Sequence, residues 1–180
     1  MNAAKVIDFW FSDRVCARWW DKDEDFDAEI CELFTETYQK AVCNELSAWR
    51  STALGCLAEV IVLDQFSRNM FREKADAFAY DSLARQCVYD AIAAGLDKEL
   101  EPRMRAFLYM PLMHSESLAD HEEAIRLYKS DPALEFNLGF ELKHKAIIDR
   151  FGRYPHRNEV LNRECTAEET EFLKQPGSSF

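Results

Sequence analysis

The sequence predicts an all-α fold, and three observations carry that reading. Gly and Pro number only five each in 180 residues, too few for the turns a β-sandwich of this length requires. Apolar residues recur at three- and four-residue spacing through most of the chain, the period of a helix with one buried face. Cap and stop residues sit between these stretches. The length suits one helical domain spanning 1–180, with a loose tail from about 175 to 180. Hydrophobic residues make up 48%, and thirteen Phe, six Tyr and four Trp make the expected core aromatic.

The elements follow in order. Ala3 to Phe11 reads as a short apolar helix, and Arg14 to Glu24 as a connector whose Trp19 and Trp20 tuck back. Asp25 is placed to cap a helix in which Phe26, Ile30, Leu33, Phe34 and Tyr38 form a buried stripe. Asn44 to Arg50 is a connection with Leu46 and Trp49 inward. Leu54 to Phe66 is apolar nearly all round and should be central, with Leu57, Ile61 and Phe66 in the core. A helix runs from about Asp76 to Ala94 and stops at a left-handed Gly95. Pro102 opens the next, which Pro111 kinks or ends. Further helices cover about Ser117 to Tyr128, and Asp131-Pro132 to Phe151 with Gly152 as the stop. A capping box at Thr166-Ala167-Glu168-Glu169 begins the last one. Seven to eight helices joined by short connections pack as antiparallel neighbours. Periodicity alone leaves an orthogonal bundle and a stacked-hairpin array both open, and no clean internal repeat is visible.

Composition excludes several functions. A formal net charge of −11 without a basic, aromatic-interleaved stripe argues against nucleic-acid binding. No apolar run is long enough for a membrane span, and the start has no signal-peptide pattern, so a cytoplasmic location is expected. The six cysteines form no CxxC pair and are expected to be reduced and structural. No metal or other cofactor is expected, and nothing in the sequence sets an oligomeric state.

Three strings put polar residues in apolar surroundings. The first, Leu63 to Arg72, places Asp64, Arg68 and Arg72 on one helical face, with Gln65 and Asn69 beside them. The second, Tyr109 to Ser117, carries His114 and Glu116 just after a proline; the His114 to His121 spacing does not suit a helical metal pair. The third, His144 to Asn158, brings Arg150, Arg153, His156, Arg157 and Asn158. Between Lys143 and Arg163, six Lys or Arg face only two acids, a basic island in an acidic chain. Each string reads either as a structural network of ion pairs or as part of a ligand site, since guanidinium forks suit carboxylates and phosphates.

At these strings the chain resembles the bacterial family catalogued as domain of unknown function 924. The residues that carry the likeness are Leu63-Asp64-Gln65-Phe66 with Arg68-Asn69, Tyr109-Met110-Pro111-Leu112 with His114-Ser115-Glu116, and Arg150-Phe151-Gly152-Arg153-Tyr154-Pro155-His156-Arg157-Asn158. The Asp8-Phe9-Trp10-Phe11 start and the Thr166 to Leu173 end also fit. The resemblance implies a TPR-like helical array and no established activity.

Two functions are expected of the three strings. One is a binding protein that holds a small anionic molecule or an acidic peptide in an Arg- and His-lined cleft. That cleft would draw on Asp64, Gln65, Arg68, Asn69, Arg72, His114, Glu116, Arg150, Arg153, His156, Arg157 and Asn158. The other is a hydrolase or transferase for an anionic substrate, with His114 or His156 as general acid–base. No phosphate loop, nucleophile elbow or paired-histidine zinc motif is present.

Overall fold

A computed structural model describes residues 2–179, and every described element is helical. The α-helices are α1 (Ala3–Trp10), α2 (Asp13–Cys16), α3 (Glu24–Val42), α4 (Ala53–Val60), α5 (Ser67–Met70), α6 (Asp81–Ala93), α7 (Pro102–Met113), α8 (Leu118–Lys129), α9 (Glu135–Phe151) and α10 (Ala167–Phe172). Between α4 and α5 the chain stays helical as a π-turn over Ile61–Phe66. Short 3-10 turns fill several connections. The chain divides into two compact units, the first made of 1–72 with 76–111 and the second of 73–75 with 112–180.

In the first unit, α1 and α6 pack on α4, while α3 packs on the π-turn and on α5. Leu57, Ile61 and Phe66 are fully buried, as the all-round apolar pattern requires. Phe66 lies 4.5 Å from Phe34 and 5.6 Å from Trp10, ring centre to ring centre, which builds the aromatic core. The first half of this central helix needs Gly55. A Cβ there would fall 1.9 Å from the Trp49 carbonyl oxygen, so any side chain would push the 47–51 turn away.

In the second unit, α8 packs on α9. Ile147 and Ile148 of α9 pack with Tyr154, and Phe151 and Phe172 close over them. Asp131 caps the 3-10 turn Pro132–Leu134 that leads into α9, and Gly152 ends α9 at φ 67°, a conformation that costs glycine little. Thr166 and Glu169 form the expected capping box.

Several details differ from the sequence expectation. The α3 cap is Asp23, which accepts from the Phe26 N–H, because the helix begins one residue before Asp25. Leu33 and Leu54 are 43% and 47% exposed; each lies at the margin of an apolar stripe whose middle is already filled. The 76–94 helix is a 3-10 turn at Ala75–Phe78 followed by α6. Helix α7 continues through Pro111 to Met113, so the proline sits in the last turn rather than ending the helix. In the tail, Ser178 is buried and its hydroxyl donates to the Leu173 carbonyl, while the residues on either side of it are exposed. Residue 180 lies outside the described residues. No helix among the described residues is long and apolar enough to cross a membrane.

Candidate functional site

The first string lies in the first unit and finds its partners there. The π-turn widens the backbone spiral, a feature often found at functional sites, and carries Asp64 and Gln65, both buried. Gln65 Nε2 donates to Asp64 Oδ2 at 2.6 Å and approaches Met110 Sδ. Arg68 reaches back to Asp64 Oδ1 at 3.1 Å and forks onto both oxygens of Asp81, also at 3.1 Å. Asn69 and Arg72 both serve Asp27 of α3, with Arg72 Nε 2.5 Å from Oδ2. Asp27 and Asp81, absent from the sequence-based site, thus hold two of its cations.

The second and third strings come together in the second unit. Glu116 accepts from both terminal nitrogens of Arg163, at 2.7 and 2.9 Å, and from the backbone N–H of Tyr154 at 2.8 Å. Burial alone would push its carboxyl up, but these donors outweigh burial and hold it below the usual range. Arg163 also donates from Nε to Asn158, which fixes the loop after α9. Arg157 is buried; its Nη2 donates to the His114 carbonyl at 2.9 Å and its guanidinium stacks 4.6 Å from the Tyr154 ring centre.

Tyr154 is the centre of this unit's polar interior. Its hydroxyl donates to the Met113 carbonyl at 2.5 Å. That uses its one proton, so the approach of His144 Nδ1 at 3.1 Å is a donation from the imidazole. The rings of His121, His144 and His156 lie 6.4, 5.7 and 5.4 Å from that of Tyr154, and His114 lies 6.2 Å from His144. All four histidines of the chain are therefore gathered here. Burial, with the His114 ring nearby, holds His144 at about 2. Burial and the Arg157 charge hold His156 at about 4. Both are neutral near pH 7.

His121 and Glu141, fully buried, join α8 to α9. His121 Nδ1 is 2.7 Å from Glu141 Oε1, and Nε2 is 2.8 Å from the Ser115 carbonyl oxygen. A carbonyl only accepts, so Nε2 carries a proton, and the Nδ1–Oε1 link must hold a second one. Burial pushes the Glu141 carboxyl up, and His121 pulls it back only in part. Glu141 Oε2 is buried with no hydrogen-bond partner among the described residues, a cost that a charged carboxylate would feel most.

Of the remaining expected site residues, Arg153 forks onto Glu169 at 2.7 and 2.8 Å and holds that carboxyl at about 2. Arg150 pairs with Glu168 at the exposed surface. These two arginines tie α9 and its following loop to α10. Sequence reasoning missed His121, Glu141, Tyr154 and Arg163 as members of the cluster. Tyr154 stands inside the third string. His121 and Glu141 lie twenty residues apart on different helices, where no spacing rule links them. No group of three or more His, Cys, Asp or Glu side chains among the described residues is arranged to hold a metal ion.

No curated protein matches this chain. A solved structure of a protein of unknown function from Agrobacterium tumefaciens is 37% identical, superposes with a TM-score of 0.89 and covers 96% of each chain. The profile of a bacterial protein family of unknown function, DUF924, matches residues 6–177. That span takes in the π-turn string, the histidine cluster and the capping box alike, and the chain belongs to the DUF924 family.

Proposed function

We propose that this is a binding protein whose second unit receives a small anionic molecule at the face formed by His114, His156 and Arg157, with Glu116, Asn158 and Arg163 behind them. The observation that carries this reading is the gathering of three imidazoles and a guanidinium around Tyr154, with the fourth imidazole, His114, beside His144. His114 and His156 are partly exposed, beside the buried Tyr154, His144 and Arg157. The neutral His156 imidazole offers an N–H donor, and Arg157 supplies positive charge. The helices that present them belong, in this reading, to a TPR-like antiparallel array in a cytoplasmic protein. Asp64, Gln65, Arg68, Asn69, Arg72, Arg150 and Arg153 then serve as ion-paired framework, because Asp27, Asp81, Glu168 and Glu169 already engage the four arginines.

The enzymatic alternative, a hydrolase or transferase, draws less support. A general acid–base works best with a pKa near the working pH. His156, at about 4, is a weak base at neutral pH and is almost never protonated there. His114 keeps that role open.

Thermal denaturation with orthophosphate, pyrophosphate and citrate tests the binding reading. At about 10 mM, a ligand with a Kd of about 1 mM stabilises by about 1.4 kcal/mol, which raises the Tm measurably. The rise should vanish in His114→Ala and His156→Ala, both of which alter partly exposed side chains. A rise that persists in both variants, or none with any anion, rejects the site.

A further inference from the structure

A second surface of the same unit has a different chemistry. One face of α9 carries Phe136, Phe140, Lys143 and Ile147, spaced by three or four residues, with Arg150 and Phe151 three and four residues beyond Ile147, so that they line up along the helix. Phe136 is 75% exposed and Phe140 39%, and their rings meet edge to face at 5.0 Å. Lower on the same face, a groove of about 690 Å³ opens between α9, Phe172 of α10 and the tail at Pro176, Gly177 and Ser179. Its floor is apolar, and its two cations lie over aromatic rings: Lys143 is 5.0 Å from the Phe140 centre and Arg150 is 4.7 Å from that of Phe151.

We propose that this groove and stripe form a docking site for an acidic amphipathic helix of a partner protein. Three observations select that occupant. The stripe from Phe136 to Phe151 spans fifteen residues of rise, about 22 Å, which is about four turns of a partner helix and more than one small molecule covers. The charge is complementary to acid. Among the described residues Lys143 has no carboxylate partner, and the carboxylate paired with Arg150 is the exposed Glu168, a pair that a partner carboxylate can exchange at little cost. Finally, the positive rim stands on a chain of net charge −11, so the acidic partner is steered to this strip while being repelled elsewhere. Apolar partner residues at i, i+3, i+4 and i+7 would enter the groove, the helix-in-groove mode of recognition. This site uses neither His114 nor His156, so it stands or falls independently of the anion face.

The probe is a fluorescein-labelled synthetic peptide of about sixteen residues with Leu at i, i+3, i+4 and i+7 and Glu on its flanks. Anisotropy should report saturable binding that weakens as salt rises. Lys143→Glu and Phe140→Ser, both at exposed positions, should each weaken it about tenfold, with helical circular dichroism unchanged. His114→Ala should leave it unchanged. In 15N-labelled protein the shifted amides should cluster in α9, α10 and 176–179. Equal binding of a peptide with Lys in place of Glu would overturn the proposal. So would shifts located elsewhere, or the absence of saturation. Concentration-dependent dimerisation abolished by Phe140→Ser would assign the surface to a second copy instead, and also overturn it.

Discussion

The two units differ in what they bury besides charge pairs. The first buries its polar groups as charge pairs. Glu59 is fully buried and receives a two-pronged bond from Arg50 at 2.7 and 2.8 Å, and Asp64 and Asp81 share Arg68. The second unit keeps such pairs too, as at Glu169 with Arg153, but adds a layer of rings around Tyr154, with His144 and His156 neutral, and one proton held between His121 and Glu141. Charge pairs between guanidinium and carboxylate survive until the carboxylate is protonated, far below neutral. A neutral imidazole cluster is exposed to the first proton that arrives below its unfolded pKa. The two interiors should therefore differ in what breaks them: loss of a partner in the first, acid in the second.

The largest effect is expected in the first unit. Arg50→Ala leaves Glu59 buried without its cation and should destabilise the protein by roughly 3–5 kcal/mol, measured by urea unfolding. A loss below about 1 kcal/mol would mean that Glu59 finds water or a proton cheaply. The double variant Arg50→Met with Glu59→Leu should recover most of the loss, because the penalty belongs to the orphaned charge and not to the missing pair.

In the second unit, Tyr154→Phe removes the donor to the Met113 carbonyl and the acceptor for His144 in one step. The expected cost is roughly 1–3 kcal/mol, with the aromatic packing kept. A neutral outcome would show that water replaces the hydroxyl and that the cluster is less closed than its distances imply.

Acid sharpens the comparison. His144 is held at about 2 in the folded chain against 6.5 when unfolded. The folded value is the lower one, so its contribution to stability is complete above pH 6.5 and is lost progressively as pH falls below it, because the unfolded chain takes up the proton first. His156, held at about 4, adds to the same trend between 6.5 and 4. Stability measured from pH 7.5 to 4.5 should fall, and His144→Gln should flatten that slope. An unchanged slope in the variant would place the acid sensitivity elsewhere. The Arg153 to Glu169 pair contributes only further down: with Glu169 at about 2, its stabilisation persists until pH falls below about 4.5.

The smallest effect belongs to the exposed pair of Arg150 and Glu168. Glu168→Gln should change stability by no more than about 0.5 kcal/mol, yet strengthen capture of the acidic helix by freeing Arg150. Weaker capture in this variant would show that Glu168 orients Arg150 for the partner.

Much of this was legible in the chain itself. Helix content followed from scarce Gly and Pro and a sustained 3–4 period, since that pattern leaves one face of each segment to be buried. The position of Gly152, the Asp131 cap and the Thr166–Glu169 box followed from local chemistry that depends on at most a few neighbouring residues. The burial of Leu57, Ile61 and Phe66 followed because a helix apolar on all sides has nowhere else to go. What only the tertiary structure decided were the partners. Arg72 meets Asp27, 45 residues away, Arg163 meets Glu116, and His121 meets Glu141. Long charged side chains carry no periodic signal of which opposite charge they will meet, because that choice depends on how separate helices are brought side by side. For the same reason the sequence could mark His114, His156 and the arginines as out of place, but it could not say that three histidines would share one tyrosine with the fourth beside them, or that most of the arginines would be held by acids from other elements.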